Sequence, residues 1–162
     1  MIEKQPEHKI MLDISALVTI LKGTPVNIFF DGAKEEDIAT MEKRLGVKLP
    51  DSFRQFLRVS DGALFYQGEE IFGTKNGEHG LQRSIDRIKA QSASLPANFI
   101  PFYSGNEVHY FDTNNLANGE YIIYALSSID GSPRKIADSF PQWLKERIID
   151  ENEASNFDKL LK

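Results

Sequence analysis

The residues of this chain that could do acid–base or metal chemistry are an adjacent carboxylate pair, Glu69 and Glu70, and three histidines, His8, His79 and His109. Neighbouring residues of a strand point to opposite faces, so the two glutamates would not share a site as acid and base. The histidines are scattered and form no H-E-x-x-H pattern. We therefore expect them to be ordinary surface or hydrogen-bonded residues, with His109 on the strand face opposite its two neighbours.

Nucleophiles and phosphate-binding loops give no stronger signal. The chain has no cysteine, which excludes disulfides, thiolate metal ligands and a cysteine nucleophile. Neither G-x-S-x-G, G-x-x-x-x-G-K-[ST] nor G-x-G-x-x-G occurs, and the glycines at 68, 73, 77 and 80 suit turns. The sequence thus predicts no catalytic residue, no cofactor and no metal, and we expect a protein that is not an enzyme.

The most regular pattern is a helix, a corner and a second helix between residues 38 and 62. Two apolar stripes at helical spacing define the helices, Ile38, Met41 and Leu45 in the first and Phe53, Phe56 and Leu57 in the second. Acidic residues at 35–37 suit the positive N-terminal end of the first helix, more simply than they suit a metal or interaction patch. Gly46 can end that helix, Pro50 suits the first position of the next, and Asp61-Gly62 lets the chain leave it.

The rest of the chain is expected to be a sheet framed by helices. Residues 64–66 and 69–72 read as a hairpin, and residues 99–103, 108–111 and 121–126 as an antiparallel meander. Further helices are expected at 10–21, where an apolar stripe lies, at 81–88, and from Ile136 through Trp143 to Ile148. A strand through Val26, Ile28 and Phe30 and a final docked turn at 157–161 complete the prediction.

Length and composition fit one domain. The chain has 162 residues, of which 41% are hydrophobic and 27% charged, and no apolar run approaches the roughly 20 residues that span a bilayer. The N-terminal apolar stripe is interrupted by acids and lacks a small-residue cleavage site. We expect a single α+β domain over residues 1–162, soluble and cytoplasmic, with no membrane partner.

The net charge of -5 lies entirely in the middle of the chain. Residues 61–133 hold nine Asp or Glu against four Lys or Arg, whereas the segments on either side are each neutral. An exposed surface of this composition would attract a cationic partner and repel nucleic acid. The alternative, that strands are short of lysine for structural reasons, stays open at this point.

Four blocks of sequence are similar to the SUKH superfamily, the Smi and Knr type of domain. They are the run from Glu42 through Leu45-Gly46-Val47, Leu49-Pro50, Phe53 and Phe56-Leu57 to Asp61-Gly62; Ile71-Phe72-Gly73; Phe99-Ile100-Pro101-Phe102 with Tyr110-Phe111-Asp112; and Ile136-Ala137-Asp138-Ser139-Phe140 with Trp143-Leu144. The resemblance covers about residues 33–148. The family's usual Asn-Gly is Asp61-Gly62 here, its glycine-rich acidic turn is shortened to residues 104–107, and residues 1–32 lie outside the match.

The resemblance implies an α+β domain, with an antiparallel or mixed central sheet and helices packed around it, that works by binding another protein. In bacterial members the partner is typically a secreted polymorphic toxin, often a nuclease. We therefore expect an immunity protein that neutralises a cationic toxin domain and does not bind nucleic acid directly. Its candidate contact residues are the acids and tyrosines of the central strands and turns: Tyr66, Glu69, Glu70, Tyr103, Glu107, Tyr110 and Asp112.

Two alternatives stay open from the sequence. The first is a scaffold or regulatory adaptor of the cell-wall or signalling type, which the same fold would serve without a toxin partner. The second is a hydrolase in the central cleft, because the members of a Ser-His-Asp site meet only in space. The sequence does not fix an oligomeric state.

Overall fold

The computed structural model of the chain describes residues 14–23, 28–65, 68–75, 80–91, 95–127 and 130–149. Several expectations lie outside the described residues: the start of the N-terminal helix, a strand at Val26, any role for Tyr66, and the final turn at 157–161. Within the described ranges, no helix is both long and apolar enough to cross a bilayer.

Five α-helices, one π-helical segment and seven strands make up the regular structure of the described chain. The helices are α1 (Ile14–Lys22), α2 (Glu35–Leu45), α3 (Asp51–Val59), α4 (Leu81–Gln91) and α5 (Phe140–Trp143), the last continued by a π-helical segment, Leu144–Ile149. The strands are β1 (Ile28–Phe29), β2 (Ala63–Leu64), β3 (Glu70–Ile71), β4 (Phe99–Ser104), β5 (Val108–Ala117), β6 (Glu120–Leu126) and β7 (Pro133–Ala137). They form one sheet in chain order, antiparallel throughout, which confirms the α+β class and the predicted meander.

The corner between α2 and α3 forms where the sequence predicted it. Gly46 follows α2 with φ of 75°, a left-handed conformation that glycine adopts without a Cβ penalty, and its N–H bonds the carbonyl of Glu42. The Glu42 side chain then accepts a hydrogen bond from the N–H of Leu49 at 2.8 Å. Pro50 stands one position earlier than expected, as the N-cap of α3 instead of its first residue.

The core is built from the apolar faces of the helices and one face of the sheet. Phe53 of α3 lies at its centre, with its ring 5.2 Å from that of Phe111 and 5.1 Å from that of Phe140. The rings of Phe102 and Phe111 stack at 4.1 Å across β4 and β5. These residues and the buried residues of α1, α2 and α4 belong to one hydrophobic cluster, so the described chain folds around a single core.

A β-bulge in β4 changes which side chains face α5. Pro101 pairs with Tyr110 and Tyr103 with His109, so Phe102 is the extra residue in the register. As a result the rings of Phe102 and Tyr103, although adjacent in sequence, both lie 4.9 Å from the ring of Trp143. In a regular strand, Phe102 and Tyr103 would point to opposite faces of the sheet.

The final helix begins later than predicted, and this expectation was wrong. Ile136 belongs to β7, which pairs with β6, and Ser139 caps α5 by accepting a hydrogen bond from the N–H of Gln142 at 3.4 Å. Ile136, Phe140 and Trp143 have the spacing of a helix, but Ile136 lies in a strand and the other two in a helix. All three pack in or against the same core, so their apolar spacing did not show where the helix begins. Pro141 lies in the first turn of α5, as expected.

Candidate functional site

Three turns meet at one end of the sheet, which we call the turn end. They are the connections between β2 and β3, β4 and β5, and β6 and β7, of which the structure describes residues 65, 68–69, 105–107, 127 and 130–132. Alternate connections of an antiparallel meander lie at the same end of the sheet, so these segments are neighbours although they are far apart in sequence.

The turn end brings together acids that the sequence singled out. Glu70 pairs with Ser104 in the register of β3 and β4. Glu69 and Tyr103 both lie close to Gly105. A Cβ placed on this glycine would be 3.2 Å from Cγ of Glu69 and 2.5 Å from the hydroxyl oxygen of Tyr103. These contacts place Glu69 and Glu70 beside the turn that carries Glu107, and both side chains are partly exposed there.

Glu107 is held from both sides. The guanidinium of Arg134 donates to its two carboxylate oxygens at 3.0 and 2.9 Å, and Nε2 of His109 lies 2.9 Å from Oε2. Burial alone would raise the pKa of Glu107, but the hydrogen bonds from His109 and Arg134 together lower it below its ordinary value. Glu107 is thus a fixed, ionised carboxylate whose charge is balanced by an arginine from β7.

His109 connects this surface carboxylate to the core. Its side chain is fully buried, and the indole N–H of Trp143 donates to Nδ1 at 2.8 Å. The ring of Tyr103 lies 4.7 Å away. The sequence indicated no role for His109, because only the fold brings Trp143, 34 positions later, against it.

Three of the predicted contact residues are interior. Tyr103, Tyr110 and Asp112 are 1%, 5% and 6% exposed, so they cannot present their side chains to a partner, and the prediction that they line a docking surface is wrong. Tyr110 packs against Phe99 with the rings 5.9 Å apart, and burial raises the pKa of its phenol. Aromatic side chains on a strand that is covered on both faces become buried, because removing a ring from water lowers the free energy of the folded state.

Asp112 has a structural task. Its Oδ1 accepts from Nδ2 of Asn98 at 2.7 Å and from the N–H of Asn114 at 3.0 Å, and its Oδ2 accepts from the side chain of Asn115. These contacts hold the irregular part of β5, where the register with β6 shifts between Asp112 and Leu116. A buried carboxylate with three donors is satisfied without a ligand.

The expected acidic surface is therefore smaller than the charge count suggested. Asp61 is buried against Thr74, and Glu120 bonds to the first residues of α3 and α5. At the turn end there remain Glu69, Glu70, Glu107 and Asp130, of which Glu107 is paired with Arg134. Carboxylates serve as helix caps and turn braces as readily as they serve as surface charge, and a charge count does not distinguish these uses.

This arrangement suits binding better than proton transfer. Both ring nitrogens of His109 already have partners, so the imidazole has no nitrogen directed at a substrate. Among the described residues no group of three or more His, Asp or Glu could hold a metal ion. What the turn end offers is a set of fixed and partly exposed carboxylates.

Comparison with known proteins agrees with this fold. The model of the SMI1 / KNR4 family (SUKH-1) matches residues 32–146. The chain is similar to the uncharacterized protein YnaB of Bacillus subtilis (strain 168), with 30% identity over 104 residues that make up 63% of this chain and 65% of YnaB, slightly less than two thirds of the length of that relative. It is also similar in fold to a protein from Pseudomonas syringae pv. tomato known from a crystal structure, with a TM-score of 0.60 and 14% identity over 82% of this chain and 96% of that one.

The family match covers most of the chain and includes the α2–α3 corner, the sheet from β2 onward and α5. It also contains the acids of the turn end and the pair formed by His109 and Trp143. The chain therefore belongs to the SMI1 / KNR4 family, SUKH-1.

Proposed function

We propose that this protein is a non-enzymatic, cytoplasmic immunity protein that binds and neutralises a cognate polymorphic toxin. The observation that carries the proposal is membership of the SMI1 / KNR4 family over residues 32–146, together with the similarity of its four sequence blocks to bacterial members that act by binding toxins. The single well-packed core supports it, because a packed core holds the surface in one conformation and a preorganised surface binds more tightly.

The turn end is the surface we assign to the partner. Glu69, Glu70 and Asp130 are at least partly exposed there, and Glu107 adds a carboxylate whose position is fixed by Arg134 and His109. A toxin that acts on nucleic acid needs a positively charged surface to bind its substrate, so a negatively charged protein is steered to that surface and can cover the active site there. The partner is accordingly a cationic toxin domain, with a nuclease as the best fit.

The test begins with the genes that neighbour this one: a toxin-like domain encoded there is co-expressed with this chain. Expression of the toxin domain alone should stop growth, and co-expression of this chain should restore it, with a purified complex of the two proteins as the direct readout. A toxin that stays lethal and forms no complex with this chain would contradict the proposal and would favour a scaffold without a toxin partner.

A pair of charge-reversal variants tests the surface. Glu69→Lys combined with Glu70→Lys should slow association at low salt, because the steering field at the turn end changes sign. Glu36→Lys combined with Asp37→Lys makes the same change in net charge on α2, away from the turn end, and should slow association much less. Equal effects of the two variants, or association that does not respond to salt, would show that the turn end is not the docking surface.

A further inference from the structure

Four side chains form a continuous path from the surface of the turn end to the core. Arg134 donates to Glu107, Glu107 lies against Nε2 of His109, and Nδ1 of His109 accepts from the indole of Trp143. The path connects β7, the β4–β5 turn, β5 and α5; Arg134 is exposed, Glu107 is partly exposed, and His109 and Trp143 are buried. The proposed toxin binding uses only the outer part of this path, where Arg134 and His109 hold Glu107, and it does not need the bond between His109 and Trp143.

The donor from Trp143 defines the state of the imidazole. An indole N–H can only donate, so Nδ1 of His109 must carry a lone pair, and the proton of the neutral ring lies on Nε2, from which it is donated to Glu107. The geometry is therefore compatible with one tautomer of the neutral ring. It is not compatible with the protonated ring, in which both nitrogens are donors.

We propose that His109 is a pH-sensitive switch that fastens α5 to the sheet when it is neutral and releases the indole of Trp143 when it is protonated. A proton from solvent that adds to Nδ1 places an N–H opposite the N–H of Trp143, and the hydrogen bond between them is lost. Trp143 is 2% exposed, so its released donor has no water to turn to unless α5 shifts.

The groups around His109 act in opposite directions on this protonation. Glu107 favours the charged ring, whereas complete burial, the donor of Trp143 and the positive charge of Arg134, which shares the Glu107 carboxylate, oppose it. The ring of Tyr103 packs against the imidazole at 4.7 Å.

The chain carries its own probe, because Trp143 is its single tryptophan. In the full-length protein, the ring nitrogens of His109 should show by NMR an unprotonated Nδ1 and a protonated Nε2 at pH 7. On acidification, tryptophan fluorescence should change with the same midpoint as the His109 resonances. A proton on Nδ1 at pH 7, or fluorescence that stays constant through the His109 titration, would overturn the proposal.

Two substitutions should move the midpoint in opposite directions. Trp143→Phe removes the opposing donor while keeping an aromatic ring, and should raise the His109 midpoint by roughly one pH unit, the size expected of a single hydrogen bond. Glu107→Gln removes the favouring charge and should lower the midpoint. Phe140→Leu alters the packing of the same helix without touching the hydrogen bond and should leave it unchanged.

If Trp143→Phe fails to fold, the tautomer of the wild-type protein and the shift in Glu107→Gln still decide the matter. Shifts of the same sign in Trp143→Phe and Glu107→Gln, or a shift in Phe140→Leu as large as that in Trp143→Phe, would mean that His109 responds only to general packing, and the proposal would fail.

Discussion

Glu120 accepts hydrogen bonds from both the N–H and the hydroxyl of Ser52, at 3.0 and 2.8 Å, although the two residues lie 68 positions apart. The same carboxylate accepts from the N–H of Phe140 at 3.4 Å, and the carbonyl of Gly119 accepts from the N–H of Asp51 at 3.0 Å. Because Pro50, the N-cap of α3, has no side-chain bond of its own, the β5–β6 turn supplies the cap from a distance. One residue thus joins β6 to the first turns of α3 and α5.

Replacing Glu120 with alanine should destabilise the protein by about 2 kcal/mol, because the buried donors of Ser52 and Phe140 would lose their acceptor. Urea denaturation followed by far-UV circular dichroism would measure the change. Glu36→Ala, an exposed acid in the first turn of α2, is the matched control and should stay within about 0.5 kcal/mol of wild type. Similar losses in the two variants would contradict the capping role.

Glu107 and Glu120 should make the free energy of unfolding change with pH in opposite directions. Burial raises the pKa of Glu120 above its ordinary value of 4.5, in spite of the hydrogen bonds from Ser52. The folded state therefore takes up this proton before the unfolded chain does. Relative to Glu120→Gln, the wild type should gain stability as pH falls from neutral towards 4.5.

For Glu107 the sign is reversed. Its folded pKa lies below the ordinary value of 4.5, because the bonds from His109 and Arg134 outweigh the effect of burial. Its contribution to stability is complete above 4.5 and is lost as pH falls through the lower folded value. Relative to Glu107→Gln, the wild type should lose stability as pH falls below 4.5. Urea denaturation at a series of pH values would measure both differences, and curves of equal sign would refute one of the two assignments.

Asp61 joins two of the sequence blocks that are typical of the family. Its Oδ1 accepts from the N–H of Thr74 at 2.6 Å and its Oδ2 from the hydroxyl of Thr74 at 2.9 Å. Asp61→Ala should cost about 2 kcal/mol, because it leaves a buried N–H and a buried hydroxyl unpaired. Asp61→Asn keeps an acceptor for the N–H and offers a donor to the rotatable hydroxyl, so its loss in urea denaturation should be well below that of alanine. A loss in the asparagine variant equal to that in the alanine variant would show that the charge, and not the bond geometry, matters here.

The aromatic core should dominate the stability of the protein. Phe53 is completely buried among Phe56, Phe102, Phe111 and Phe140, so Phe53→Ala should destabilise by roughly 3–5 kcal/mol. Phe30, which is 39% exposed beside the edge strand β1, makes the matched control: Phe30→Ala should lose less than about 1 kcal/mol. Thermal or urea denaturation of the two variants would measure the difference. Comparable losses of stability would contradict the prediction that Phe53 lies at the centre of the core.

Local patterns predicted much of the fold correctly. The α2–α3 corner, α4 and the three-stranded meander each carry periodic apolar residues bounded by glycine, proline or asparagine, and these signals act over few positions. The errors fall where neighbours that are distant in sequence decide. Residues 133–137 formed a strand because β6 offered an edge to pair with, although Ile136 itself is skipped in the register. Phe102 became a bulge because the pairing of β4 with β5 is set by the whole hairpin.

The candidate site divides in the same way. The sequence placed Glu69, Glu70 and Glu107 near turns, and the meander brings these turns to one end of the sheet. It could not separate them from Asp112, because a carboxylate on a turn and a carboxylate bonded inside a strand look alike until their donors are known.

By itself the sequence determined the class of fold, the family and the absence of cysteine chemistry, because these depend on composition and on short-range spacing. Only the tertiary structure decided which charges remain at the surface and that His109 meets Trp143. The physical reason is that burial and hydrogen bonding are properties of pairs of groups. Arg134, Phe140 and Trp143, which bond to Glu107, Glu120 and His109, lie 27, 20 and 34 positions away from them in the sequence.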